Sequence, residues 1–217
     1  VALAINSPGG SPVQSDLLTN RIIQLSKEKN IPVLSFVEDV AASGGYWLAC
    51  AGNEIFASKA SIVGSIGVIS SGFGFEKAIE KLGIERRVYT SGKNKSILDP
   101  FEKEKNDDVK KLKEIQKELH NQFINFVKYR RGSKISDNNA DVFSGSFWSG
   151  EGALKIGLID NIGDLKTILK ERFGNKVKIK EYIPKRKFFD LGNIISIAIG
   201  NVIDRVEEKI NFQRFGL

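Results

Sequence analysis

The chain has 217 residues, 41% hydrophobic and 27% charged, which excludes a disordered or collagen-like polypeptide and fits one large domain or a domain with an appendage. Its net charge of +7 is uneven: residues through Gly72 hold four Lys/Arg against five Asp/Glu, a net of −1, leaving +8 for the remainder. One cysteine, Cys50, excludes an internal disulfide and a cysteine-based zinc cluster, and one histidine, His120, excludes chemistry built on a histidine pair.

Val1–Ile5 is a short apolar run that reads as a buried strand. After the turn Asn6-Ser7-Pro8-Gly9-Gly10, Ser11 reads as a helix N-cap, with Pro12 in the first turn and Gln14 completing a capping box. Val13, Leu17, Leu18, Ile22 and Leu25 recur at helical spacing up to Asn30, and Ile31–Val37 is the next strand. A strand, a helix and a strand in under 40 residues make a βαβ unit, hence a parallel sheet. Asp39–Gly45 is expected to open a short helix through Ala51, followed by strands at Glu54–Ala57 and Ser61–Ser70. A helix over Phe75–Leu82 ends at Gly83, and Ile84–Thr90 reads as a strand. A long amphipathic helix is predicted from about Glu102 to Arg131, closed by Gly132. Trp148–Asp160 and Leu165–Phe173 read as helix–turn units, and Val177–Ile183 as an edge strand.

From Pro184 a basic PKRKFF segment precedes a final apolar-to-amphipathic helix. Two readings of that helix stay open: packing on its own domain or a neighbouring subunit, and lying on an anionic membrane surface. No stretch reaches the roughly 18 apolar residues of a membrane span; Leu191–Ile203 comes nearest and is broken by Gly192, Asn193, Gly200 and Asn201. No basic segment followed by an apolar one marks a secretion signal at the N-terminus. The absence of methionine, even at position 1, is expected of a fragment, a processed product or a trimmed chain.

Ala42-Ser43-Gly44-Gly45 places a serine before two glycines where a strand hands over to a helix. That is the setting of an exposed nucleophile, and equally of a tight turn with an N-capping serine. Ser7-Pro8-Gly9-Gly10 ends another parallel strand, where glycine N–H groups can donate to a developing oxyanion. His120 sits inside the long helix and reads as a partly exposed helix residue, so a Ser-His triad is not expected. A lysine can act as base when desolvation favours its neutral form. Lys93 and Lys95 both follow a strand and a glycine, and spacing does not choose between them.

INSPGG at Ile5–Gly10, AASGGYWLA at Ala41–Ala49, VGSIGVI at Val63–Ile69 and NKSILDPF at Asn94–Phe101 resemble the signal peptide peptidase A family of serine peptidases. WSGEGALKIGLID at Trp148–Asp160 looks like that family's later signature, and the resemblance covers roughly Val1–Phe173. It is closer to the short, SohB-like members than to the long tandem ones. The resemblance implies an α/β fold of the Clp-protease/crotonase type, with repeated βαβ units, a mostly parallel sheet, a long amphipathic helix and a C-terminal helical extension. It implies a peptidase domain over 1–183 and a basic, amphipathic extension over 184–217. It further implies that a strand, a helix and a membrane anchor precede the part seen here.

By position, the resemblance makes Ser43 the nucleophile and selects Lys95 over Lys93 as general base. Ser65 in GSIG becomes the residue that orients the lysine, and Gly10 and Gly44 the oxyanion-hole donors. Tyr46 and Trp47 are candidates for lining the substrate pocket, though helix residues of this type are more often core. No metal or cofactor is implied. The expected partners are peptide substrates, other copies of the chain, and a membrane surface reached through 184–217; no nucleic acid is expected. The expected setting is the bacterial inner membrane, with the side it faces left open and the periplasmic side favoured. A catalytically silent scaffold of the same fold and an acyl-CoA enzyme of the crotonase type are the alternatives.

Overall fold

Strand β1 (Ala2–Ser7) leads through the Pro8-Gly9-Gly10 loop into helix α1 (Pro12–Lys29). Pro12 in the first turn suits α1, since the N–H that proline lacks would have no helical acceptor at that position. Lys27 and Lys29 complement the negative end of the helix dipole, and Asn30 closes it in the left-handed conformation (φ 50°). The expected capping box does not form: Ser11 makes no side-chain cap, and its carbonyl accepts from Ser15 Oγ at 3.0 Å. The structure, a computed structural model, describes residues 1–135, 140–182 and 212–216.

Strand β2 (Leu34–Ala42) runs further than its sequence suggested. Asp39–Ala42, expected to open a helix, complete the strand instead. Val40, Ala41 and Ala42 are fully buried and pair with Ile62, Val63 and Gly64, and that ladder outweighs local helix propensity. Helix α2 is therefore short (Gly44–Ala49), followed by β3 (Glu54–Ala57) and β4 (Ile62–Gly64). The strand expected over Ser61–Ser70 stops at Gly64 because Gly64 (φ 120°) and Ser65 (φ 51°) turn the chain.

Helix α3 (Glu76–Lys81) and the long α4 (Asn106–Arg131) follow, each stopped near a left-handed glycine, Gly83 (φ 65°) and Gly132 (φ 54°). Between them Ile84–Thr90 is exposed and forms no strand, since no neighbouring strand meets it among the described residues. Strand β5 (Phe147–Ser149), helix α5 (Gly150–Lys155), strand β6 (Asn161–Ile162) and helix α6 (Leu165–Phe173) complete the described elements. Residues 177–182, expected as an edge strand, likewise lack a ladder. The predicted extension over 184–217 lies outside the described residues apart from 212–216, where Phe215 meets the Phe147 ring edge-on at 5.2 Å.

The sheet runs β5-β4-β2-β3-β6, with β1 also on β2. Its ladders are parallel except β4–β5, the mostly parallel α/β arrangement expected. β2 is the hub: Leu34–Val37 pair with β3 and Val40–Ala42 with β4, so the strand ends of β1, β2 and β4 converge.

Helix α4 braces this convergence. Its buried Phe123 stacks on Trp47 of α2 at 4.6 Å, and Phe126 at 5.5 Å. Such ring pairs add about 0.5–1.5 kcal/mol beyond the area they bury. Arg130 donates to the carbonyls of Cys50, Ala51 and Gly52 at 2.6–3.1 Å, satisfying acceptors just past the end of α2. Arg131, 4% exposed, donates to Gly157 O and to both carboxylate oxygens of Asp160. Asp160 also accepts from the Ile55 N–H at 2.8 Å, tying α4 to β3.

Candidate active site

Ser43 occupies the turn between β2 and α2 with φ 51° and ψ −120°. A non-glycine residue held there costs on the order of 1–3 kcal/mol, so the surroundings must impose the conformation. They do so through the main chain: the Ser43 N–H donates to Gly64 O at 2.8 Å, and its carbonyl accepts from the Trp47 N–H at 2.9 Å. The Ser43 hydroxyl does not cap α2 and makes no hydrogen bond among the described residues. Ser43 is partly exposed, whereas Ala41, Ala42, Gly44 and Gly45 around it are buried. The helix-capping alternative for this serine therefore does not hold.

Both glycine loops are required by close backbone approach. A Cβ on Gly9 (φ 130°) would lie 3.0 Å from Ser43 Cβ and 3.4 Å from its Oγ. A Cβ on Gly44 would press on Ser15 Oγ and stand 3.2 Å from Gly10 N, and one on Gly45 would run into the Ser7 carbonyl. The Gly9-Gly10 loop is thus folded against the serine turn. Gly44, first residue of α2, has an N–H without a helical acceptor, and the Gly10 N–H has no acceptor among the described residues. The two N–H groups belong to the loops packed around the Ser43 turn.

Ser65 stands next to Ser43 across the β2–β4 ladder, one residue past the Ala42–Gly64 pair. It is 6% exposed, adopts φ 51°, and its N–H donates to Ser146 O at 2.7 Å. Its hydroxyl has no partner among the described residues. Ser43, Ser65, Gly10 and Gly44 are therefore brought together by this chain alone.

Lys95 is not brought to them. It lies exposed in a turn whose N–H donates to Gly92 O at 3.2 Å, and no hydrogen bond joins it to Ser43 or Ser65 among the described residues. Lys93 is exposed in the same turn. The loop has its own anchor: Leu98 (φ 58°) donates its N–H to Asp108 Oδ2 on α4 at 3.1 Å, and Asp99 takes two bonds from Arg86 at 3.0 and 2.6 Å. The Phe101 N–H and the Arg86 guanidinium hold the Asp99 carboxyl below the usual range. Phe101 stacks on Phe75 at 5.5 Å and lies under Arg86 at 4.8 Å. The Asp-Pro-Phe part of the lysine motif thus builds the lobe that carries the lysine, a role its sequence does not announce.

Tyr46 and Trp47 prove to be core. Tyr46 is fully buried and donates to Leu158 O at 2.7 Å, and Trp47 is 6% exposed beneath the rings of α4. His120 makes one specific contact: Nε2 lies 3.0 Å from Ile66 O, immediately after Ser65. A cavity of about 1320 Å³ opens away from these residues, between β1 and α6, and none of them lines it. No helix among the described residues is long and apolar enough to cross a membrane.

The family model for peptidase family S49 matches residues 25–178. A Na(+)/H(+) antiporter NhaA of Brucella abortus is 48% identical over 231 residues, covering all of this chain but 31% of that protein. A protein of Methanocaldococcus jannaschii assigned as a protease is 34% identical over 97% of this chain and 70% of its own length. The chloroplastic serine protease SPPA of Arabidopsis thaliana is 34% identical over 75% of this chain and 24% of its own. The chain thus spans less than a third of the Brucella relative, whose name describes that whole protein.

Proposed function

Because this chain belongs to peptidase family S49, among SppA- and SohB-like relatives with a Clp-protease/crotonase-type fold, we propose that it is a serine endopeptidase with Ser43 as nucleophile. The observation that carries this reading is the partly exposed, uncapped Ser43 hydroxyl on a strained turn, flanked by the unpaired N–H groups of Gly10 and Gly44. Ser43 Oγ attacks the scissile carbonyl and yields its proton to the neutral amine of Lys95. Gly10 and Gly44 receive the oxyanion, an effect worth about 3–4 kcal/mol for a strong donor. Lys95 then protonates the leaving amine, and water releases the acyl group from Ser43 by the reverse path. Ser65, beside Ser43, holds the lysine amine in line. The substrates are extended peptides of membrane or signal-peptide origin.

The base arrives from a second copy. Support comes from the exposure of Lys95, from its missing link to Ser43, and from the spacing along α4. Asp108, which holds the Lys95 loop, and His120, which meets the Ser65 turn, are twelve residues apart, about 18 Å along a helix. The lobe that carries Lys95 also leaves Phe73 82% and Tyr89 90% exposed, apolar surface suited to a neighbouring protomer. The membrane-surface role of 184–217, and with it a place on the periplasmic side of an inner membrane, is carried as part of the same proposal; co-sedimentation with anionic liposomes, lost on truncation at residue 183, tests it.

Fluorophosphonate labelling separates the peptidase from a silent scaffold or an acyl-CoA enzyme. The intact protein is labelled on Ser43, and Ser43→Ala and Lys95→Ala each abolish labelling. Labelling that survives both substitutions refutes the assignment.

A further inference from the structure

The lone histidine has a specific partner that its helix position did not announce. His120 Nε2 lies 3.0 Å from the carbonyl oxygen of Ile66, 54 residues away. A carbonyl can only accept, so the ring proton sits on Nε2 and the histidine is the donor. Ile66 is fully buried in the core, and the residue before it is Ser65.

The turn that presents Ser65 is held from two sides. The Ser65 N–H donates to Ser146 O at 2.7 Å, and His120 takes the next carbonyl. Ser65 itself sits at φ 51°, a conformation that persists only where the surroundings fix it. On the other side of the same segment, Gly64 O accepts from the Ser43 N–H. Three consecutive residues, Gly64, Ser65 and Ile66, thus carry the link to the nucleophile, the base-orienting hydroxyl and the link to α4.

Helix α4 reaches the nucleophile as well. Phe123 and Phe126 stack on Trp47 of α2, and Arg130 binds the carbonyls beyond its end. Residues 120, 123, 126 and 130 recur at helical spacing, so one face of α4 holds both the helix behind Ser43 and the turn bearing Ser65. We infer that His120 is a positioning residue of the catalytic site, whose hydrogen bond to Ile66 O sets the Ser65 hydroxyl relative to Ser43. It touches neither substrate nor reacting atoms. The inference rests on the reading of Ser43 as nucleophile and Ser65 as the residue orienting its base.

The test uses the full chain with His120→Phe, which keeps a planar ring and removes the donor, and His120→Gln, which restores an N–H donor. The expected result with His120→Phe is a fall of about ten- to a hundredfold in kcat on a fluorogenic peptide and in the fluorophosphonate labelling rate, with KM unchanged. His120→Gln recovers most of both. Hydrogen exchange of a peptide covering 64–68 accelerates in His120→Phe and returns toward the parent in His120→Gln. Labelling of His120→Phe at the parent rate, a failure of His120→Gln to recover, or unchanged exchange at 64–68 overturns the inference. Labelling that survives Ser43→Ala overturns instead the reading beneath it, and exchange still reports whether the tether exists.

Discussion

Arg131 grips both carboxylate oxygens of Asp160, at 2.8 and 3.2 Å, with the guanidinium 3% and the carboxylate 12% exposed. Lys134 adds a third bond at 2.6 Å and the Ile55 N–H a fourth. Burial pushes the Asp160 carboxyl up, and the bonds from Arg131, Lys134 and Ile55 overcome it, leaving it below its ordinary value. A carboxyl depressed on folding contributes stability above its unfolded pKa, and loses it as pH falls through the folded one. Thermal stability should therefore drop as pH falls below about 4, the unfolded aspartate value, and this slope should be shallower in Asp160→Asn, with the other depressed carboxyls, such as Asp99, keeping the remainder. Breaking one side of a buried pair costs about 3–5 kcal/mol. Calorimetry at pH 7 should show Asp160→Asn melting roughly 10 °C lower. An unchanged melting temperature would remove Asp160 from the stability of this fold.

Gly45 faces β1 so closely that any Cβ meets the Ser7 carbonyl. Gly45→Ala should destabilise the chain by about 1–3 kcal/mol, because the obstacle is backbone and cannot swing away. Urea unfolding measures it. Gly74→Ala is the control: its added Cβ has open space, and its midpoint should stay within experimental scatter of the parent.

Burial pushes the Cys50 thiol up to about 12, beside Tyr46 and within reach of the Arg131 field. Thiolate is the reactive form, so the native thiol should resist a disulfide reagent at pH 8. Guanidinium should expose one equivalent per chain, making Cys50 an intrinsic reporter of unfolding. Rapid reaction of the native protein would show that the region around α2 opens far more readily than its packing implies.

If Lys95 acts on the serine of a neighbouring copy, two inactive variants should complement. Mixing Ser43→Ala with Lys95→Ala should regain a substantial fraction of peptide hydrolysis once subunits exchange, while each alone stays inactive. Phe73→Ser with Tyr89→Ser should weaken the assembly in analytical ultracentrifugation and abolish the regained activity. No recovery from an oligomeric mixture would place the dyad within one chain.

How much was legible depended on where each partner lies. Helix α6 has the bounds its sequence indicates, because Asp164 caps its start through the Thr167 N–H at 3.0 Å and Gly174 ends it. The Ser43 motif was legible because the turn demands glycines next to it. Strands were harder: Asp39–Ala42 look helical until β4 lies beside them, and Ile84–Thr90 look like a strand that finds no partner here. The contact of His120 was invisible, since its acceptor is a main-chain carbonyl and leaves no side-chain signature. The place of Lys95 was equally hidden, because a lobe's distance from the sheet is a tertiary quantity.

Among the described residues, every hydrogen bond of the Ser43 turn joins main-chain atoms, with glycine at the Gly64 acceptor and at the two donors that have no acceptor there. The geometry of the elbow is therefore independent of the lysine that would activate it. A chain that lost Lys95 would keep a preformed receptor for a peptide carbonyl and become a trap that holds without cutting. On the proposed mechanism, binding and turnover would then be separable by a single side chain, one carried on a lobe that adds no strand to the sheet among the described residues.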